Sequence, residues 1–280
     1  MSTQRNQGPD GRRSAVSTLE CLTRLLDVRH YGAMSSKVVV VTGAGRGLGA
    51  EIARQCAREG ARVVLAGRTV HGLDSVRDEI LADGGRALVQ PTDILDPQSV
   101  QSLFAATKDE FGTFDVVVNN AGITAHVNLV DLQEDDWQRV FDTNVRGMFL
   151  CSREAGRHFR EMQSGRVVNV ASVFGLLGRP GFSAYCASKG AVVNFTRAVA
   201  AEWARFGAQM NAVAPGYFAT DINADLRKDD AAMAKVLRRI PAHRMGRPEE
   251  LANIVSYLAF QAPDFLTGQT IAVDGGESSV

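Results

Sequence analysis

The sequence predicts a doubly wound α/β domain, one parallel sheet with helices on both faces, and three observations carry that prediction. Val38-Val39-Val40-Val41 is a β-branched run, too short for a helix and typical of a strand buried on both faces. Strand-like runs then alternate with helix-like stretches as far as Val273, an order that requires parallel strands joined by right-handed crossovers. After residue 37 there is no internal repeat, low-complexity tract or linker. A single domain over residues 37–280 is expected.

Each element has a local reason. The first strand runs into a glycine-rich turn, and a helix near Ala50 to Glu59 follows, ending at Gly60 as a C-cap. Arg62 to Ala66 reads as the second strand, Leu73 to Ala82 as the second helix and Ala87 to Gln90 as the third strand. Asp96-Pro97 opens a third helix through a capping carboxylate and a proline in the first turn. Asp115 to Val118 is the fourth strand. Later strands fall at Arg166 to Ala171, Gln209 to Val213 and Thr270 to Val273, between helices near Asp135 to Phe149, Ala184 to Phe206 and Pro248 to Phe260. Tyr217 to Ile240 mixes charged and apolar residues over a long stretch, consistent with a mobile lid.

Composition narrows the function classes. The 280 residues carry 31 Lys and Arg against 31 Asp and Glu, so no basic surplus is available for general nucleic-acid binding. No apolar run approaches the roughly 20 residues of a membrane span, and the chain is read as soluble and cytoplasmic. Cys21, Cys56, Cys151 and Cys186 are widely spaced, with no Cys-x-x-Cys pair and no zinc set, which fits a reducing compartment and no metal. Cys186, beside Tyr185, reads as a small packing residue. Residues 1–36 differ from the rest: a polar start and one short amphipathic helix through Val16, Leu19, Leu22 and Leu26. This leader is expected to be flexible, or absent if translation starts at Met34.

The turn Thr42-Gly43-Ala44-Gly45-Arg46-Gly47-Leu48-Gly49 lies between the first buried strand and the first helix. Glycine lets backbone N–H groups approach a ligand, and the helix N-terminus favours a pyrophosphate. That is where a dinucleotide-binding fold places its phosphates. At the end of the second strand, an acidic residue would accept from the adenosine ribose 2'-hydroxyl. Here Gly67 occupies that position and Arg68 follows, with Arg46 as a second cation. A guanidinium pairs with a 2'-phosphate, so NADP is preferred, with NAD as the alternative.

Tyr185-Cys186-Ala187-Ser188-Lys189 puts Tyr and Lys at i and i+4 on one helical face. A phenol near pKa 10 is a poor acid–base group at neutral pH, and an adjacent ammonium favours phenolate. The pair is expected to move a proton to or from a substrate oxygen.

The glycine turn, Asn119-Asn120-Ala121-Gly122, Ser172, the Tyr185–Lys189 pair and Pro215-Gly216 occur in an order that resembles the short-chain dehydrogenase/reductase family over residues 37–276. The resemblance implies a seven-stranded parallel Rossmann sheet, a nicotinamide cofactor and hydride transfer without metal. It implies Tyr185 as general acid in reduction and base in oxidation, and Ser172 as a hydrogen-bonding partner of the reacting oxygen. Lys189 would hold the cofactor ribose and tune Tyr185, and Asn144 would support a water leading protons away. Thr42, Gly43, Arg46, Gly47 and Leu48 would line the pyrophosphate and ribose, and Asp93 would meet the adenine edge. Asn119 and Ala121 would lie along the adenosine, with Pro215, Gly216, Phe218 and Thr220 near the nicotinamide carboxamide.

Substrate choice is expected in the loops Thr124 to Leu129, Val173 to Phe182 and Tyr217 to Ile240. Ala214 to Thr220 and Arg244 to Leu251 resemble the gluconate 5-dehydrogenase branch of the family, and Arg179 is then a candidate clamp for a sugar-acid carboxylate. Reductases of 3-oxoacyl carrier-protein thioesters share most of these features. A nucleotide-sensing protein without turnover is the reading from a different class. The family resemblance also implies a homotetramer, with the helices near Asp135 and Ala184 pairing between copies. Val192, Val193, Phe195, Val199 and Trp203 give the Tyr-bearing helix more apolar surface than one face requires, which a partner would bury.

Overall fold

The computed structural model describes residues 37–220 and 228–280. The expected leader helix, Cys21, the start at Met34 and part of the expected lid lie outside them.

Seven strands form one sheet in the order β3-β2-β1-β4-β5-β6-β7, every neighbouring pair parallel. They are β1 Val38–Thr42, β2 Arg62–Gly67, β3 Arg86–Pro91, β4 Val116–Asn119, β5 Gly165–Val170, β6 Ala208–Pro215 and β7 Thr270–Val273. The helices are α1 Gly47–Arg58, α2 Val70–Ala82, α3 Pro97–Phe111, α4 Glu134–Phe141, α5 Met148–Met162, α6 Ser183–Trp203, α7 Asp230–Leu237 and α8 Pro248–Ser256.

Alternation along β1 shows why the valine run is needed. Val39 and Val41 face a core shared with Ile52 of α1, Leu73 of α2 and Leu251 of α8. Val38 and Val40 face the opposite core, with Leu103 of α3, Phe159 of α5 and Trp203 of α6. All four valines are fully buried, which at about 25 cal/mol per Å² makes this strand a main source of stability. The Asp96 side chain caps α3 by accepting from Gln98 N at 3.0 Å.

Four expectations change. The helix expected to end near Phe149 instead passes through a π-helical turn at Asp142–Gly147 and continues as α5 to Met162, because Leu150, Cys151, Ala155 and Phe159 carry its buried stripe onward. The helix expected to reach Phe260 leaves α geometry after Ser256, in a second π-helical turn at Tyr257–Gln261. The stretch expected to be a lid contains α7, which Asp229 caps by accepting from Ala231 N and Ala232 N. Finally, part of the apolar surplus of α6 is covered within the chain: Val192, Val193 and Trp203 are buried, whereas Phe195 and Val199 pack against the same cores and stay partly exposed.

Candidate active site

The chain order reverses between β1 and β4, and a cleft of about 680 Å³ opens at the carboxyl ends of the strands there, the expected ligand position in such a sheet. One end is the glycine turn. A Cβ on Gly49 would lie 2.2 Å from Gly43 O and 2.3 Å from Asn120 Nδ2, so only hydrogen fits there. Asn120 Nδ2 donates to Thr42 O at 2.9 Å and Gly43 O at 3.2 Å. Thr42 Oγ1 accepts from Asn120 N and Ala121 N, both at 3.1 Å, and donates to Val118 O at 3.3 Å. The ends of β1 and β4 are thereby stapled together. α1 begins with no side-chain cap and no acidic residue in its first turn, leaving its first amides and positive dipole end for an anion.

Arg46, Arg68 and His71 line this same end. Among the described residues no carboxylate pairs with Arg46 or Arg68, whereas Arg54, Arg58, Arg77, Arg139, Arg157 and Arg244 all hold ion pairs. Free guanidinium groups beside open amides, with Gly67 where an acid would repel phosphate, form a cradle suited to a phosphorylated dinucleotide. Asp93 also lines the cleft, its Oδ1 accepting from Leu95 N at 2.9 Å.

Across the cleft, Ser172 follows β5 while Tyr185 and Lys189 stand one turn apart on α6. Ser172 and Tyr185 line the same wall of the cleft, and Ser172 Oγ accepts from Phe174 N at 3.2 Å. Lys189 Nζ donates to Val170 O at 2.7 Å and lies 5.7 Å from the Tyr185 ring centroid. Asn144 sits in the first π-helical turn, a feature frequent at functional sites. Its Oδ1 accepts from Ile123 N at 2.8 Å, and its Nδ2 donates to Ile123 O at 2.9 Å and Ser188 Oγ at 3.0 Å. Ser188 Oγ in turn donates to Tyr185 O at 2.8 Å, so Asn144 ties the loop after β4 to the Tyr-bearing turn of α6.

The electrostatic balance differs from the simple expectation. Burial pushes the Tyr185 phenol up, with Ser172 as the opposing influence, and the Lys189 ammonium is not among the causes; the expected lowering by the neighbouring lysine is not what sets its acidity here. Burial also brings Lys189 down to about 8 from its ordinary 10.5. Below about pH 8 both folded and unfolded chains carry this charge; between 8 and 10.5 the unfolded chain keeps a proton that the folded one has released. Lys189 therefore adds stability with rising pH across that window. In Lys189→Met the melting temperature should lose that rise relative to the unaltered protein. Parallel curves for the two proteins between pH 8 and 10 would refute the assignment. Cys56 and Cys151 are buried and pushed up, Cys151 to about 12, which makes them poor nucleophiles; Cys186 is half-buried.

Of the sequence-predicted site residues, Gly43, Arg46, Gly47, Leu48, Arg68, Asp93, Ala121, Ser172, Tyr185, Lys189, Pro215, Gly216, Phe218 and Thr220 line one cleft. Thr42, Asn119, Asn144 and Arg179 do not line it. Thr42 spends its hydroxyl on the staple. Asn119, the last residue of β4, points to the face of Val117, where its Nδ2 donates to Ser152 Oγ at 3.0 Å and Asn169 Oδ1 at 2.9 Å. Asn120, its neighbour, reaches the cleft instead. Arg179 is bound to the Glu277 carboxylate and is not a free clamp. The aromatic end of the cleft is Phe174, Phe182 and Tyr217, none of them singled out by sequence although all lie in loops expected to choose the substrate. Phe174 lies 5.2 Å from Phe182 and 6.0 Å from Tyr217 between ring centroids. Their only sequence signal is aromatic residues in two of the three loops expected to choose the substrate.

A family model described as enoyl-(acyl carrier protein) reductase matches residues 43–278. The chain is 40% identical over 246 residues to a 3-oxoacyl-[acyl-carrier-protein] reductase of Synechocystis sp., covering 87% of this chain and 98% of the relative. This protein belongs to the short-chain dehydrogenase/reductase family. A second relative in this oxidoreductase family, the cis-4-hydroxycyclohexanecarboxylate dehydrogenase of Sinomonas cyclohexanicum, is 41% identical over 249 residues, 89% of this chain and 99% of its own length. A gluconate 5-dehydrogenase from Burkholderia cenocepacia, solved in complex with NADP and tartrate, superposes with a TM-score of 0.83 at 35% identity, covering 87% of this chain and 96% of that one. Among the described residues of this short-chain dehydrogenase/reductase, no helix is long and apolar enough to cross a membrane.

Proposed function

We propose that this protein is an NADP-dependent oxidoreductase interconverting a ketone and a secondary alcohol, with residues 37–280 as its catalytic domain. The observation that carries the reading is the meeting of Ser172, Tyr185 and Lys189 on one wall of a cleft whose far end presents Arg46 and Arg68, with no carboxylate paired to either among the described residues. NADP(H), when bound, supplies or accepts the hydride. The chain's own groups do the rest. Arg68 and Arg46 would hold the 2'-phosphate, and the first turn of α1 with Gly43, Gly47 and Leu48 the pyrophosphate. Asp93 and Ala121 would border the adenosine, and Pro215, Gly216, Phe218 and Thr220 the carboxamide. Tyr185 gives its hydroxyl proton to the carbonyl oxygen in reduction and takes it back in oxidation, while the Ser172 hydroxyl stabilises charge on that oxygen. Cationic Lys189 favours the phenolate left on Tyr185 and holds the ribose. Asn144 keeps Ile123 and the turn of α6 in register with them. A cytoplasmic homotetramer, which the family resemblance implies, is part of the same proposal.

Two rings and a tyrosine flank the reacting centre, and the nearby arginine is already neutralised. These features favour a carbonyl carrying an apolar chain or ring, such as a 3-oxoacyl thioester, since a buried charge needs a partner. The second reading, a sugar acid such as gluconate, is supported by the likeness to gluconate 5-dehydrogenase. Reduction of acetoacetyl thioesters, cyclohexanediones and 5-ketogluconate with NADPH separates them. The apolar carbonyls should lead in kcat/KM by about tenfold or more. A lead for 5-ketogluconate would return the assignment to the sugar acids, and tight NADPH binding without any turnover would favour a sensor.

A further inference from the structure

Glu277 is an almost fully buried carboxylate that the proposed chemistry does not use. It sits in a turn built by Asp274, whose carboxylate accepts from Gly276 N at 2.9 Å and Ser278 N at 2.7 Å. Gly275 lets this turn close on the segment after α7: its φ is +65°, a Cβ there would lie 2.8 Å from Ile240 Cγ2, and its carbonyl accepts from Ala242 N at 3.0 Å. From that turn the Glu277 carboxylate takes a hydrogen bond from Arg179 Nη2, with Arg239 Nε 4.0 Å away.

Arg179 carries the connection into the cleft. Its guanidinium carbon stands 5.1 Å from the centroid of Phe174, and that ring meets Tyr185 edge-on at 6.2 Å. The Arg179 carbonyl accepts from Phe182 N at 3.1 Å. His126, in the loop after β4, stacks on Phe182 at 4.4 Å. The pair is costly by its own bookkeeping: Arg179 Nε and Glu277 Oε2 are buried without a hydrogen-bond partner among the described residues, and a buried ion pair is weak as a source of stability alone.

We infer that Glu277 is a positioning residue: through Arg179 it ties the substrate loop to the Asp274–Ser278 turn and so holds the aromatic wall against which the substrate is oriented. The pair occupies the arginine that a carboxylate substrate would need, so positioning and substrate choice have one cause. The inference rests on the proposed oxidoreductase reading only where turnover is measured.

Hydrogen–deuterium exchange on the full chain tests it without a substrate. Glu277→Gln leaves Arg179 without a counter-charge, and exchange over residues 173–182 should quicken roughly tenfold while residues 43–49 and 62–67 keep their rates. Affinity for NADPH should stay within about twofold, and for the best ketone of the panel KM should rise about fivefold with kcat changed by less than about twofold. Glu277→Asp, which keeps the charge on a shorter arm, should fall between the two and decides the question if the Gln variant does not fold. Exchange unchanged at 173–182, or raised equally at 43–49, overturns the inference. Absence of turnover in every variant would instead count against the oxidoreductase reading and leave the exchange result standing.

Discussion

Tyr185→Phe should lower turnover about 10³-fold, the middle of the range for a positioned acid or base, while affinity for NADPH stays within about threefold. The substitution removes one oxygen and little else. The Tyr185 ring meets Phe174 edge-on, with Lys189 Nζ over the ring, and a phenyl ring keeps both contacts. What disappears is the hydroxyl, and with it the proton that must reach the carbonyl oxygen. Because burial pushes the phenol up, the protonated form dominates at neutral pH, which suits reduction. Steady-state turnover and a fluorescence titration with NADPH measure the two quantities separately. More than about a tenth of the original turnover would remove Tyr185 from the role of acid.

Arg68→Ala should weaken NADP binding by between about tenfold and 10²-fold, as expected for losing a charge-assisted hydrogen bond to a phosphate. Affinity for NAD should move by less than about threefold. The asymmetry follows from the surroundings of Arg68: no carboxylate pairs with it among the described residues, and the neighbouring Gly67 has no side chain to repel or accept. Isothermal titration of both nucleotides at one ionic strength makes the comparison, since salt screens these contacts. Equal losses for NADP and NAD would mean that Arg68 shapes the adenosine end generally and does not select the 2'-phosphate.

Much of the site lies in local sequence for a physical reason. The glycine turn, the Tyr185–Lys189 pair and Pro215-Gly216 each act through residues a few positions apart, where strand and helix periods dictate which side chains share a surface. The strand–helix alternation is legible in the same way, from the valine run of β1 and the cap at Asp96. The π-helical turns at Asp142–Gly147 and Tyr257–Gln261 are not, because one extra residue in a turn leaves no mark on composition. α7 does carry a local signal, the Asp229 cap ahead of Ala, Met, Lys and Leu, all strong helix formers, although the mixed charge of the surrounding stretch reads as loop.

Sequence alone determined the alternation of strands and helices, the glycine turn after β1, the Tyr185–Lys189 pair one helical turn apart and the family to which they point, all consequences of chain periodicity and of residue chemistry. Tertiary structure decided matters that depend on distant partners. It turned Asn119 toward Asn169 and left Asn120 to the cleft, it buried Val192 and Val193 of α6 inside one chain, and it paired Arg179 with a glutamate 98 positions away. Whether a charge is free or already paired depends on which segments the fold brings within about 4 Å, and no local spacing records that distance.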